Sequence, residues 1–263
     1  MPGPTRFPDG IQLWESQAGL GDMRFPDATK FIHYVEEFID AGDFVAATPT
    51  NWTVTAVGAG TRARANTAGG VVTITNAAAD NDSVSVQKTN RSYVFTSGRR
   101  LFFMARLSLS DVVESDMFMG LSDADTTPIG GAGSEETGVN NGVFFLKIDG
   151  SALLRAFVRV GGSTIFSNLS LATMVNDQMM NMAFAFDGRI GTSDLPGELS
   201  FWTKIDSEDV WTKRVGFDID ASGDLPSAVL SSNMSIQNGE AVAKIMNVDT
   251  LLVHNERFIF PTG

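Results

Sequence analysis

From residue 30 to the C-terminal end, apolar side chains recur at every second position in short runs, and each run is bounded by Gly, Asp, Asn or Ser. A two-residue period sends alternate side chains to opposite faces, which is the pattern of a half-buried strand, and the bounding residues are those that tolerate turns. Trp52-Thr53-Val54-Thr55-Ala56-Val57 and Val71-Val72-Thr73-Ile74-Thr75 alternate, and Ser83-Val84-Ser85-Val86 follows a turn at Asp80-Asn81-Asp82. A long run covers residues 101–109, and another covers residues 116–121. Gly142-Val143-Phe144-Phe145-Leu146-Lys147-Ile148 reaches the Asp149-Gly150 hairpin signal, and Gly161-Gly162 marks a further turn before Ser163-Thr164-Ile165-Phe166. Residues 182–186, 199–205, 210–215 and 242–253 continue the pattern. Helical turns are expected only near residues 169–175 and 225–230.

About twelve short strands with scarcely a helix predict an all-β fold, an antiparallel two-sheet jelly-roll sandwich. The division is an extended N-terminal arm over residues 1–29, one β-sandwich domain over 30–258, and a C-terminal tail over 259–263. At 263 residues the chain is long enough to bury a core without staples. It has no cysteine, so disulfides, thiol nucleophiles and thiolate metal sites are excluded. A formal charge of −12 leaves no cationic excess with which to hold phosphates, so no nucleic-acid partner is expected. No window approaches the length of an apolar membrane span, and the first residues carry no secretory pattern. The expectation is a chain made in a reducing cytoplasm, with no membrane partner and no cofactor.

A loop rich in Gly, Thr and Asp runs from residue 122 to 141 and is long enough to predict a functional edge or mobile flap. The first residues differ from the rest. Arg6-Phe7-Pro8-Asp9 recurs as Arg24-Phe25-Pro26-Asp27. Proline removes a ladder donor and pushes its predecessor toward extended backbone, so each copy presents an Arg and a Phe from an irregular segment that also carries Trp14. Aromatic residues and arginine are the usual anchors of interfaces, which points to an arm that orders against a partner.

The run at residues 101–109 leads into Ser110-Asp111-Val112-Val113, then Asp116-Met117-Phe118-Met119-Gly120-Leu121-Ser122-Asp123, the Asp149-Gly150 hairpin, and Phe201-Trp202-Thr203-Lys204-Ile205-Asp206. Together these resemble the concanavalin A-like jelly roll of lectins and glucanases over residues 100–258. The opening Pro4-Thr5-Arg6-Phe7-Pro8-Asp9-Gly10 is similar to the start of tailed-bacteriophage virion proteins. An arm of that kind ahead of a lectin-like sandwich resembles phage capsid decoration (cement) proteins. The resemblance implies a non-enzymatic protein of the virion exterior that binds the major capsid protein and itself, as a homotrimer. Arg6, Phe7, Pro8, Asp9, Trp14, Arg24, Phe25, Pro26 and Asp27 are then the capsid or inter-subunit contacts. The alternative is a lectin-like carbohydrate-binding or host-adhesion module, with a glycan as partner and Trp202 as the sugar-stacking residue.

Candidate chemistry is sparse. The glucanase pattern Glu-x-Asp-x-x-Glu finds only Glu114-Ser115-Asp116-Met117-Phe118-Met119, with Met119 where the acid/base carboxylate belongs, so no catalytic residue is assigned. His33 and His254 lie in terminal strands without ligand spacing. Asp218-Ile219-Asp220-Ala221-Ser222-Gly223-Asp224 imitates half a calcium loop but has Val229 in place of the bidentate Glu, so it reads as a turn and no metal is assigned. Alternation places Phe201 and Ile205 on one face of their strand and Trp202 and Lys204 on the other.

Overall fold

The computed structural model describes residues 11–12, 24–25, 31–39, 41–65, 70–130, 138–188, 197–206, 208, 210–219 and 223–256. Two short strands, β1 (Ile11–Gln12) and β2 (Arg24–Phe25), pair only with each other. They are followed by β3 (Phe31–Glu36), a helical turn α1 (Gly42–Val45), β4 (Trp52–Val57), β5 (Thr61–Arg64), β6 (Val72–Thr75) and β7 (Ser83–Lys88). The middle of the chain supplies β8 (Arg100–Leu109), β9 (Ser115–Ser122), β10 (Gly142–Lys147), β11 (Leu153–Val160) and β12 (Ser163–Thr173). The last third supplies β13 (Met180–Asp187), β14 (Gly197–Ile205), β15 (Thr212–Ile219), β16 (Ser231–Asn238) and β17 (Ile245–Glu256).

These strands form two antiparallel sheets. The seven-stranded sheet runs β12-β11-β10-β9-β16-β7-β4. The eight-stranded sheet runs β15-β14-β13-β8-β17-β6-β5, and β3 also pairs with β17. The long β17 serves two neighbours on one side, β6 along its first residues and β3 along Leu251 to Glu256. The chain passes repeatedly from one sheet to the other, as a jelly roll must.

The core lies between the sheets and is filled by the inward half of each alternating run. Phe103 and Phe184 stack at 4.9 Å, Phe145 meets Phe201 edge-on at 5.7 Å, and Phe166 stacks on Phe217 at 4.9 Å. Tight turns join the strands: Gly161 and Gly162, at φ 57° and 83°, connect β11 to β12 with a backbone open to glycine at little cost.

Three expectations change. Residues 169–173 are strand, not helical turn, because β12 continues through two bulges against β11 that break its alternation and mimic a helical spacing. Residues 225–230 contain no helix; Leu230 instead bridges to Tyr93. Ser231–Asn238, not anticipated as a strand, is an interior strand of the seven-stranded sheet, between β9 and β7. In the arm, the backbone of Arg24 and Phe25 pairs with that of Gln12 and Ile11 in a two-residue ladder. Arg6, Phe7, Pro8, Asp9, Trp14, Pro26, Asp27 and the tail over 259–263 lie outside the described residues.

Candidate functional site

Strand register sorts the outer face of the seven-stranded sheet. Phe118 opposes Leu146, Phe144 opposes Phe157, and Asn233 opposes Gly120 on one side and Gln87 on the other; all point away from the core. The face therefore has an apolar half on β9 to β11 and a polar half on β4, β7 and β16. Neither half is bare. Ile129 and Val139, from the loop after β9, pack on Phe118, Phe144, Leu146 and Phe157 to make a second apolar cluster outside the sandwich. Phe118 and Phe144 stack at 4.6 Å beneath it.

The described limbs of the loop, residues 123–130 and 138–141, thus lie over the sheet as a strap, and polar side chains pin them. Gln87 Nε2 donates to Asp123 O at 2.8 Å while its Oε1 accepts from Asp125 N at 3.1 Å. Asn233 Nδ2 donates to Ser122 Oγ at 3.2 Å. Asn141 Nδ2 donates to Asp123 Oδ2 at 3.1 Å and Asn141 Oδ1 accepts from Gly161 N at 3.0 Å. The limbs approach so closely at Gly138 that a Cβ there would lie 2.5 Å from Asp125 Oδ2.

Between this strap and the β4 edge lies a cleft of about 300 Å³, lined by Thr53, Gln87, Thr89, Arg91, Asp125 and Ser231 among others. Two buried polar groups of β16 lie at this cleft: Ser231 lines it, and Asn233 Nδ2 reaches Asp125 O. Ser231 Oγ and Asn233 Oδ1 have no hydrogen-bond partner among the described residues. Buried polar atoms normally find partners, and a hydroxylated ligand or water supplies them most simply. At the end of β7, Lys88 Nζ sits 4.4 Å from the Tyr34 ring and 4.6 Å from the Trp52 ring, and donates to Tyr34 Oη at 3.1 Å. Burial holds the Lys88 ammonium below its ordinary pKa, whereas burial and the Glu36 carboxylate push the Tyr34 phenol well up.

Trp202 is not part of this arrangement. It lies on the outer face of the eight-stranded sheet, half-buried, with its Nε1 donating to Ser200 Oγ at 2.9 Å, and Phe201 beside it faces the core. Asp116 is buried on the outer face of β9 and accepts from Asp149 N at 2.8 Å. Asp82 Oδ2 accepts from Ala79 N at 3.0 Å, so the Asp80-Asn81-Asp82 cluster closes a turn. Asp218 and Ile219 end β15, and the next three residues of the calcium-like loop lie outside the described residues. In the backbone register of the β3–β17 ladder His254 pairs with His33. Among the described residues no group of three His, Asp or Glu side chains is placed to hold a metal ion, and no helix is long and apolar enough to cross a membrane.

Gln87, Ser231 and Asn233 were the residues that sequence reading missed. Their signal is the alternation of Ser, Asn and Gln with Met234 and Ile236 in β16, a strand period in which only two of the inward positions are apolar.

No protein-family model and no curated protein matches the sequence. Solved structures match in fold. Peanut lectin with a bound peptide superposes with a TM-score of 0.58 at 10% identity, covering 86% of this chain and 97% of its own. An endo-1,3-beta-glucanase from Streptomyces sioyaensis gives 0.58 at 13% identity, with 86% and 97% covered. Lectin II from Ulex europaeus gives 0.56 at 13%, with 86% and 99% covered. The fold is therefore the concanavalin A-like jelly roll of lectins and glucanases, an all-β sandwich of two antiparallel sheets.

Proposed function

We propose that the chain is a non-catalytic carbohydrate-binding module whose site is the cleft between the β4 edge and the strap. The observation that carries this is the 300 Å³ cleft lined by Ser231, whose buried Oγ has no hydrogen-bond partner among the described residues, with the equally unsatisfied Asn233 Oδ1 two residues along β16. Sugars are bound by such convergent polar groups, which fix orientation, and similarity of fold to lectins supports the same reading. Binding without catalysis is favoured because the outward positions of β9 after Asp116 are Phe118, Gly120 and Ser122, which leaves the retaining mechanism's second carboxylate absent from that strand.

A glycan array on the full chain, followed by titration calorimetry with the best oligosaccharide, tests the reading. Ser231→Val is expected to weaken binding at least tenfold, and Trp202→Ala to leave it unchanged. The opposite pattern moves the site to the other sheet, and an array with no signal removes the proposal.

The doubled Arg-Phe-Pro-Asp motif supports a second reading, in which the module is carried on a phage capsid exterior and reinforces it. A sugar site has no need of two such copies. Binding of the chain to expanded capsids in vitro, lost on deleting residues 1–29, is the expected result; capsid binding that survives the deletion removes the arm from the argument.

A further inference from the structure

The two sheets treat their edges differently. The eight-stranded sheet ends in β15, which carries Lys213, Arg214 and Asp218, and in β5, which carries Arg62 and Arg64. Charges on an edge are the usual device against pairing with another chain. The seven-stranded sheet ends in β12 and β4, neither of which carries a charge; β4 is only six residues long and follows Pro49, whereas at the eleven-residue β12 the sequence has no Asp, Glu, Lys, Arg or Pro from Val160 to Asn176. In a chain of net charge −12, such a strip is a place where two copies can approach without like-charge repulsion.

The same strand carries exposed apolar side chains. Ile165 is 39% and Leu169 46% exposed. Bulges against β11 leave both outside the regular ladder, on either side of Phe166, Ser167 and Asn168, which keep their partners. Phe166 faces inward and stacks on Phe217, so the strand is anchored from behind while Ile165, Ser167 and Leu169 are exposed. Ile165 and Leu169 are each two residues from Ser167. An antiparallel pair centred on Ser167 therefore sets Ile165 of one copy opposite Leu169 of the other, twice over, as a two-fold interface requires.

We propose that β12 is a homodimer interface, through which a second copy of this chain extends the seven-stranded sheet across a two-fold axis at Ser167. An eleven-residue edge buries roughly 800–1,000 Å² in total, which is the range of weak, reversible association. The dimer forms at high local concentration and presents two copies of the same outer face, so avidity supplies what one weak contact lacks.

The chain has no cysteine, which makes the test direct. In the full chain carrying Ser167→Cys, the only thiols of the two copies meet at the axis, and mild oxidation is expected to give a covalent dimer; Val57→Cys, on the opposite edge strand β4, serves as the control and is expected to stay monomeric. Sedimentation of the unmodified chain from micromolar to near-millimolar concentration is expected to show a monomer–dimer equilibrium, weakened at least tenfold by Leu169→Lys. That residue is exposed, so the variant folds, and circular dichroism checks it. A monomer throughout, a dimer indifferent to Leu169→Lys, or equal cross-linking at both cysteines overturns the proposal.

Discussion

Lys147 closes β10 opposite Met117, and none of its side chain is exposed. Its ammonium donates to Ser115 O, and Asp116, Asp149, Asp111 and Glu114 favour its charged form through space. Burial outweighs them and pushes its pKa down to about 8 from 10.5. Between those two values the unfolded chain holds a proton that the folded chain has released, so stability rises with pH across that window, by about 3 kcal/mol in all. Tyr93 has the opposite sign. Burial raises its phenol to about 12, the folded chain keeps a proton that the unfolded chain loses from pH 10, and stability falls above that point. Denaturant midpoints measured from pH 7 to 11 are expected to climb to a maximum near pH 10 and then decline. Lys147→Met is expected to remove most of the climb and leave the decline, with Lys88, also held below its ordinary value by burial, supplying what remains; an unchanged climb would assign it to another group.

Among the elements, the strap depends on one close approach. With Thr127 O only 2.9 Å and Asp125 Oδ2 2.5 Å from where its Cβ would sit, Gly138→Ala must part the limbs. The expected cost is about 1–3 kcal/mol, read as faster amide exchange at Asp125, whose N–H is held by Gln87, while the β13 amides keep their protection. Uniform loss of protection would mean that the strap and sandwich unfold together. The strap was legible in the sequence as a long Gly-rich loop at a sheet edge, but not as a cover, because its apolar anchors, Ile129 and Val139, are isolated in that loop and follow no period. The same distinction separates the strands that were foreseen from β16. Where one face is apolar, alternation announces the strand. In Ser231–Asn238 the outward positions are Ser, Asn and Gln, buried under a strap that only tertiary structure reveals, so the run reads as a loop. The fold class survives such losses because many strands report it independently; the candidate site does not, because its floor is this strand.

For the whole molecule, the closure that matters joins the beginning of the sandwich to its end. β3 pairs with the last half of β17, Val35 opposite Leu252 and Tyr34 opposite Val253, across more than two hundred residues of chain. Tyr34 also reaches into the other sheet's edge through Lys88, whose ammonium lies over both Tyr34 and Trp52, and Trp52 in turn meets Phe44 edge-on at 5.4 Å. β3 therefore ties the eight-stranded sheet to the seven-stranded one, whereas β1 and β2 form a separate ladder of their own. Two truncations divide these roles. Removing residues 1–29 keeps β3 and is expected to shift the melting temperature by no more than about 3 °C. Removing residues 1–36 deletes a strand and the Tyr34–Lys88–Trp52 stack, at roughly 5 kcal/mol, and is expected to lower it by about 10–20 °C. Thermal unfolding followed by circular dichroism reads both. If the shorter truncation costs as much as the longer, the segment ahead of β3 is part of the sandwich, and the boundary drawn at residue 30 from the proline pattern is misplaced.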